Sequence, residues 1–238
     1  MRTTRAPLPP RLARMAAMVP GGSRVADVGS DHGLLAIELL RSGRAAWCVA
    51  TERTPERLAA LARCVARAGE YAALELRAGD GLAPLTVADR LDVVVVGGVG
   101  AGSVAAILDG PALARVAPRR LVVQPQTDPG AVRRRLATLG WEVVDEALVG
   151  AGGRTHLVIA AEPFDGSRAH AHPTLSADDL LEAGPCLVRS RDPAAARYWR
   201  RESARLAGIL RRVPSPEARA RRELALRVLA ALGDVDPA

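Results

Sequence analysis

Three short segments place acidic residues and glycines where a small organic ligand could bind. Residues 27–33 read Asp-Val-Gly-Ser-Asp-His-Gly, Glu52 stands 25 residues after Asp27, and Gly79-Asp80-Gly81 comes further along the chain. A glycine turn exposes backbone amides to the anionic part of a ligand. A carboxylate such as Glu52 can accept hydrogen bonds from both hydroxyls of a ribose, and Asp80 could accept from the amine of an adenine. The combination favours an adenosyl ligand, S-adenosylmethionine.

Each of these signals also has a plain structural interpretation. The glycine turn could merely close a loop, Glu52 could be a surface acid, and Asp80-Gly81 could be an ordinary turn. The dinucleotide fingerprint G-x-G-x-x-G is incomplete, because only Gly29 and Gly33 are present. The prediction therefore depends on three strand ends carrying suitable residues together.

The elements that must position these residues follow from hydrophobic patterning. Apolar runs of strand length alternate with helix-forming segments, which predicts a parallel sheet covered by helices on both faces. The expected strands are residues 25–28, 47–50, 74–76, 91–96 and 121–123, and the expected helices are residues 34–40, 56–67, 103–108 and 131–139. Residues 141–148 and 155–160 predict a hairpin with a loop at 149–154, which would add an antiparallel pair.

Small and polar residues follow the fourth and fifth expected strands. Gly97 and Gly98 begin a run of small residues that ends at Gly102, and Gln124-Pro125-Gln126 follows the fifth strand. Ligands of open α/β sheets bind in the crevice at the carboxyl ends of the strands. We expect the glycines to leave space for the donor methyl or a planar substrate, although both segments could also be structural turns.

Beyond residue 163 the composition changes. Residues 164–173 contain Gly, Ser, Pro and two His and are typical of a linker, and two helical stretches follow at 193–213 and 217–232. Apolar residues recur along them at spacings of seven and four, as in an antiparallel helical hairpin. They are Trp199, Leu206, Val213, Leu224, Val228 and Leu232. We expect one domain over residues 1–163 and a helical domain over residues 174–238.

The positive charge is concentrated near the C-terminus. The chain has 33 basic residues, all of them Arg, and a formal net charge of +7. Residues 187–227 hold 12 Arg and four acids, whereas residues 1–186 hold 21 Arg and 20 acids. The exclusion of Lys is typical of a biased genomic base composition, but a localised cationic surface indicates a polyanionic partner, with nucleic acid as the leading candidate.

Other functional classes find little support in the sequence. No apolar run approaches the roughly 18 residues of a membrane helix, and the first ten residues lack the features of a secretory signal, so we expect a cytoplasmic protein. Cys48, Cys64 and Cys186 form no C-x-x-C pair and are expected to be buried. We expect no metal, because the four His lack a ligand set. They are His32, His156, His170 and His172.

Matching segments extend from about Pro9 to Val213 and point to a known family. They are Arg11-Leu12, Val19-Pro20, residues 26–32, Glu52, residues 79–82, Gly98-Val99-Gly100, Gln124-Pro125, Leu175-Ser176 and residues 184–187. In these segments the chain resembles the TrmK family, bacterial tRNA (adenine-N1)-methyltransferases that modify the adenine at position 22, in the D-arm. The Gly-Ser-Asp-His segment, with Gln-Pro and the later Gly-Pro-x-Leu, makes the likeness more specific than a match to methyltransferases in general.

The resemblance implies a class I, Rossmann-like S-adenosylmethionine-dependent methyltransferase sheet and a coiled-coil-like C-terminal helical hairpin that helps to hold tRNA. It also implies that acids and glycines at the strand ends line the donor pocket. With their neighbours, the expected cofactor-binding residues are Asp27, Gly29, Ser30, Asp31, His32, Glu52, Gly79, Asp80, Gly81, Gly97 and Gly98.

The chain departs from the family pattern around the expected pocket for the target base. Residues 97–101 replace Ala-Gly-Met-Gly-Gly, Gln126 replaces the Asn of Gln-Pro-Asn, and Leu34 replaces an aromatic. Two alternatives therefore stay open: a methyltransferase with another RNA or small-molecule acceptor, and a non-catalytic RNA-binding protein that retains the fold. The retained Asp27, Glu52 and Asp80 argue against loss of chemistry.

Methylation of adenine N1 sets particular demands on a site. N1 of the neutral base carries a lone pair, so no general base is needed, but the product ring is cationic and its exocyclic amine requires acceptors. Asp31 and Gln124 are the candidate catalytic residues. His32 stands beside a glycine turn, where a histidine is more often a structural hydrogen-bonding group.

Unstacking the target adenine costs a few kcal/mol, which contacts to phosphates must offset. The candidate RNA-binding residues are Arg11, Arg14, Arg197, Arg200, Arg201 and Arg205, with Arg211 and Arg212 on the same predicted helix as the last four. The alternative is a solvated face paired with Glu202 and Glu217, but these acids are too few to neutralise it. Tyr198 and Trp199 lie on this helix, and the spacing of Trp199 predicts burial.

Overall fold

The computed structural model describes residues 7–69, 71–166 and 171–233. Contacts divide the chain into two compact units between Pro163 and Phe164. The expected linker at 164–173 begins at this division, and its residues 167–170, with His170, lie outside the described residues.

The first unit is built on a seven-stranded sheet in the order β3-β2-β1-β4-β5-β7-β6. The strands are β1 Ser23–Val28, β2 Ala45–Glu52, β3 Leu74–Ala78, β4 Val93–Val99, β5 Arg120–Pro125, β6 Trp141–Ala151 and β7 Arg154–Pro163. Strands β1 to β5 pair in parallel, whereas β7 runs antiparallel to both β5 and β6. The prediction of five parallel strands closed by an antiparallel pair is confirmed.

Six helices accompany this sheet. They are α1 Pro10–Ala17, α2 Leu34–Arg41, α3 Pro55–Ala68, α4 Ala101–Leu108, α5 Pro111–Val116 and α6 Pro129–Thr138. Hydrophobic periodicity predicted four of them and missed α1 and α5. With six residues, α5 offers too few turns for a clear pattern, whereas α1 is as long as the predicted α2 and α4.

Local sequence explains where the main elements begin. Residues 93–96 are four consecutive valines, each at most 1% exposed, as expected for a central parallel strand covered on both faces. Helices α3 and α6 start with Pro after Thr54 and Asp128, whose side chains accept N–H groups of the first turn. Proline at the first position and a side-chain cap are each favourable there, the cap by about 1 kcal/mol.

The hairpin between β6 and β7 is tighter than predicted. Its two connecting residues are Gly152 and Gly153, with φ of +57° and +74°, so the expected six-residue loop is wrong. Two consecutive glycines adopt positive φ without steric cost, which allows a two-residue turn that lets both strands extend.

The second unit is helical. It contains α7 Ala177–Ala183, α8 Pro185–Arg189, α9 Pro193–Leu210 and α10 Pro216–Ala231, with α9 packed against α10. Trp199, Leu206 and Val228 are buried as the spacing predicts, but Val213 is 60% exposed because α9 ends at Leu210. The short helices α7 and α8 were not predicted.

Candidate active site

A cavity of about 620 Å³ opens beside the carboxyl ends of the parallel strands, a volume that suits a small organic ligand. Five of the predicted residues line it: Gly29, Glu52, Gly79, Asp80 and Gly81. The sequence interpretation missed Arg53, Arg57 and Arg115, which line it as well. Arg53 and Arg57 follow Glu52 closely and could have been found from that spacing, whereas Arg115 lies on the unpredicted α5.

The buried carboxylate of Asp27 stabilises the turn that follows β1. The Oδ2 atom of Asp27 accepts a hydrogen bond from Ser30 Oγ at 2.6 Å, which ties the carboxylate to the turn between β1 and α2. Burial raises the pKa of Asp27 to about 6, and the nearby charge of Glu52 acts in the same direction.

Positive backbone φ angles shape this turn. Gly29, Asp31 and Gly33 have φ of +72°, +54° and +71°. No protein atom among the described residues lies within 4 Å of the position that a Cβ on Gly29 would take. The backbone of Gly29 is therefore accessible from the cavity that it lines.

Glu52 ends β2 with a buried carboxylate that is 3% exposed. Its Oε1 atom accepts the N–H of Asp31 at 2.6 Å, and its Oε2 atom lies 3.8 Å from Nη1 of Arg57. The strand ends are linked further by the N–H of Gly79, which donates to the backbone oxygen of Glu52 at 2.9 Å. The carboxylate is thus fixed in the cavity wall, with Oε2 available to accept from a ligand hydroxyl.

The segment after β3 depends on its glycines. A Cβ on Gly79 would lie 2.7 Å from the ring of Pro84, closer than real Cβ contacts allow. Gly81 has φ of +54°, and Asp80 between them is exposed and lines the cavity. The turn therefore presents the carboxylate of Asp80 at the cavity mouth.

Two glutamines two positions apart in the sequence, Gln124 and Gln126, hold the end of β4. Strand β4 bulges at Gly98, which has φ of +77°. Its N–H donates to Oε1 of Gln124 at 3.2 Å, and its carbonyl oxygen accepts from Nε2 of Gln126 at 2.7 Å. Gln124 is 1% exposed, whereas Gln126 is exposed. A Cβ on Gly97 would lie 2.5 Å from the Met15 methyl, so α1 packs closely on this strand.

Asp31 and His32 expose their side chains outside the cavity lining. His32 Nε2 lies 3.5 Å from Asp31 Oδ2, and His32 Nδ1 lies 3.5 Å from the Sγ atom of Cys64 on α3. The hydrogen bond to Cys64 and the charge of Asp31 raise the pKa of His32. The prediction that Cys64 is buried is wrong: it is partly exposed, and its contacts with His32 and then Arg67 lower the pKa of its thiol. Cys48 and Cys186 are buried as expected.

The candidate RNA-binding arginines have different surroundings. Nη1 of Arg11 lies 3.7 Å from the Cβ position of Gly98, over the end of β4. Arg14 forms an ion pair with Asp145 at 2.9 Å. On α9, Arg205 pairs with Glu202 at 2.8 Å, and Glu202 also accepts from Arg221. Arg197, Arg200 and Arg201 are exposed, as are Arg211 and Arg212. Glu202 thus pairs with Arg205 of this helix but is shared with Arg221 of α10, so this one acid cannot neutralise both arginines.

Only some of the predicted cofactor-binding and catalytic residues therefore line the cavity. Asp27 and Gln124 lie beneath the surface and hold the β1 turn and the β4 bulge, and Ser30 supports Asp27. The remaining cofactor candidates outside the lining are Asp31, His32, Gly97 and Gly98. Strand order, glycine turn and buried Glu52 together define a class I S-adenosylmethionine-dependent methyltransferase.

Comparison with known proteins gives the family. Residues 25–233 match the TrmK family model, described as tRNA (adenine(22)-N(1))-methyltransferase. The chain belongs to this family.

Individual relatives agree with this result. The tRNA (adenine(22)-N(1))-methyltransferase of Bacillus subtilis (strain 168) is 28% identical over 192 residues, 81% of this chain and 79% of the relative. A crystal structure of a candidate tRNA (m1A22) methyltransferase of Streptococcus pneumoniae superposes with a TM-score of 0.80 at 26% identity, covering 96% of this chain and 99% of the other. In complex with S-adenosyl-L-methionine, the same protein superposes with a TM-score of 0.78 at 25% identity, covering 93% and 98%.

Within residues 7–69, 71–166 and 171–233, no group of three or more His, Cys, Asp and Glu side chains is placed to hold a metal ion. No helix in those ranges combines the length and the apolar character needed to cross a bilayer.

Proposed function

We propose that this protein transfers a methyl group from S-adenosylmethionine to N1 of the adenine at position 22 of tRNA, the activity for which its family is named. The observation that carries this proposal is the cavity, which brings Gly29, Glu52 and Asp80 together from three strand ends.

The residues around the cavity fit an adenosyl donor. When bound, S-adenosylmethionine supplies an electrophilic methyl group on its sulfonium. Glu52 would accept from the ribose hydroxyls, Asp80 from the adenine amine, and the backbone at Gly29 would receive the amino-acid end. A buried carboxylate such as Glu52 is stabilised when its remaining acceptor capacity is used in this way.

Asp31 and Gln124 would act on the target base in different ways. The exposed carboxylate of Asp31 can accept from the exocyclic amine of adenine as that amine becomes more acidic. The amide of Gln124 is engaged with Gly98 and with the carbonyl oxygen of Pro125. Gln124 would therefore act as a positioning residue, which fixes the backbone beside the acceptor.

Arginines would hold the RNA. Arg11 over the β4 end and the exposed Arg197 and Arg201 of α9 are suited to contact phosphates, whereas Arg14, Arg200 and Arg205 make interactions within the protein that phosphate would first have to replace. We infer that the protein acts in the cytoplasm, where tRNA is the available substrate.

Mass spectrometry of an unmodified tRNA transcript incubated with protein and donor tests this function. One methyl group should appear on the adenine at position 22, and a transcript with guanine there should remain unmodified. Donor binding without methylation of any tRNA would favour another acceptor, and failure to bind donor would favour a non-catalytic RNA-binding protein.

A further inference from the structure

The methyltransferase unit carries a second cationic surface that the sequence interpretation did not find. It consists of Arg53, Arg57, Arg63 and Arg67, here called the α3 arginine face. We infer that this face binds backbone phosphates of the RNA substrate, so that RNA is held at the donor cavity as well as by the C-terminal helices. The inference rests on the proposed function.

Helix geometry places these arginines together. At 100° per residue, Arg57, Arg63 and Arg67 fall within about 120° of the circumference of α3, away from the apolar side formed by Leu58, Leu61 and Val65. All four arginines of the face are exposed. With 14 residues, α3 is about 20 Å long, enough to follow several phosphates of one strand.

The face is continuous with the cavity. Arg53 and Arg57 line the cavity mouth at the start of α3, and Arg63 and Arg67 lie further along the helix. An RNA strand that follows the face would therefore run to the mouth of the cavity in which the donor is bound.

The charge of the face is largely unneutralised. Among the described residues, Arg53 and Arg63 have no acidic partner, and Arg57 reaches Glu52 only at 3.8 Å. Arg67 donates to the sulfur of Cys64. The acid within α3, Glu56, is hydrogen-bonded to its own N–H and to Thr54, which lowers its pKa.

Five acids of this unit are paired with arginines outside the face, whereas Asp80 shares the cavity lining with Arg53 and Arg57. Asp89, Asp109, Asp145, Glu146 and Glu162 form ion pairs with Arg77, Arg135, Arg14, Arg133 and Arg120 respectively. A near-neutral segment in the sequence thus becomes a locally cationic surface in the fold. Exposed guanidinium groups without carboxylate partners match phosphate oxygens in charge and geometry.

The variant Arg63→Gln/Arg67→Gln tests this inference, because neither residue lines the donor cavity. A matched control is Arg90→Gln/Arg119→Gln. Both arginines are exposed and lie one to three residues before the amino ends of β4 and β5, at the opposite edge of the sheet. Affinity for unmodified tRNA is measured against salt concentration, and donor affinity is measured by calorimetry.

The α3 variant should bind tRNA about tenfold more weakly at about 0.15 M salt, and its plot of log K against log salt should be shallower by roughly 1.5. Its donor affinity should equal that of the wild type, and the control should remain within about twofold for tRNA. Wild-type tRNA affinity and salt slope in the α3 variant would overturn the inference. So would a loss of donor affinity that matches the loss for tRNA.

The wild-type protein separates this inference from the proposed function. If it methylates tRNA while the α3 variant binds normally, the inference alone fails. If it neither binds nor methylates tRNA, the proposed function fails and the inference fails with it.

Discussion

The two sides of the site are built from different chemistry. On the side formed by the ends of β1, β2 and β3, which we call the donor side, carboxylates support glycine turns: Asp27 lies below one turn and Glu52 holds the N–H of Asp31. On the side formed by the ends of β4 and β5, the acceptor side, neutral amides hold a backbone bulge: Gln124 and Gln126 bond the two polar groups of Gly98.

This difference separates recognition by charge from recognition by backbone shape. Buried carboxylates select strongly for ligands with hydroxyl and amine groups, because a buried carboxylate without a hydrogen-bond donor is energetically costly. Amides fix a backbone path without adding charge. Of the residues that differ from the family pattern, Val99 and Gln126 lie on this side, whereas Leu34 begins α2 on the donor side. We therefore expect substitutions on the donor side to change mainly donor affinity, and substitutions on the acceptor side to change mainly turnover.

The largest expected effect tests the donor side through Glu52→Ala. Loss of this carboxylate removes the expected acceptor of the ribose hydroxyls and leaves the N–H of Asp31 without its partner, so donor affinity should fall at least about a hundredfold. Titration calorimetry with S-adenosylmethionine measures this. Glu52→Gln keeps an acceptor oxygen, so its donor affinity should lie between those of the wild type and Glu52→Ala. Wild-type donor affinity in the alanine variant would exclude Glu52 from donor binding.

A smaller effect on the donor side should appear in the pH dependence of stability. Burial raises the pKa of Asp27 from its ordinary value of 3.8 to about 6 in the folded protein. The folded state therefore binds more protons between these values, and this group's contribution to stability is lost as pH rises from about 4 to 6, by roughly 2–3 kcal/mol.

The variant Asp27→Asn isolates this contribution, because it cannot titrate. Relative to this variant, the wild type should lose stability over the same pH interval. In a Trp199→Phe background the remaining tryptophans, Trp47 and Trp141, lie in the first unit, so fluorescence-detected urea unfolding reports on that unit. Parallel pH curves for the two proteins would contradict the prediction.

Asp31→Asn probes the point where the two sides meet. Asparagine tolerates the φ of +54° at this position but removes the charge that we assign to the exocyclic amine, so turnover should fall roughly twentyfold. Donor affinity should change less, because the N–H bonded to Glu52 is kept. Single-turnover methylation and donor titration separate these quantities, and unchanged turnover would remove Asp31 from the chemistry.

The smallest expected effect is on the acceptor side, at the amides themselves. Gln124→Ala removes a buried acceptor from the N–H of Gly98, at a cost of about 1–2 kcal/mol, and should lower turnover about tenfold with donor affinity nearly unchanged. Gln126→Ala removes an exposed bond to the same residue and should have a smaller effect. If Gln124→Ala instead weakened donor binding and spared turnover, the division into two sides would be wrong.

Much of the fold could be predicted from local pattern, and the failures have physical causes. Four consecutive valines indicate a buried parallel strand, and Pro after Thr54 or Asp128 marks a helix start, because these features act within a few residues. Three of the missed helices, α5, α7 and α8, have only five to seven residues. The loop at Gly152-Gly153 was predicted too long, although Gly-Gly between two strands is itself typical of a two-residue turn.

The site divides in the same way. The sequence by itself determined the acids and glycines at successive strand ends, Glu52 and Asp80 among them, because parallel strands carry their carboxyl ends to one edge. Only the tertiary structure decided that Asp27 and Gln124 lie beneath the surface, that Cys64 contacts His32, and that the charge of the α3 arginine face is largely unneutralised. These outcomes depend on contacts between distant segments, whose partners no local spacing specifies.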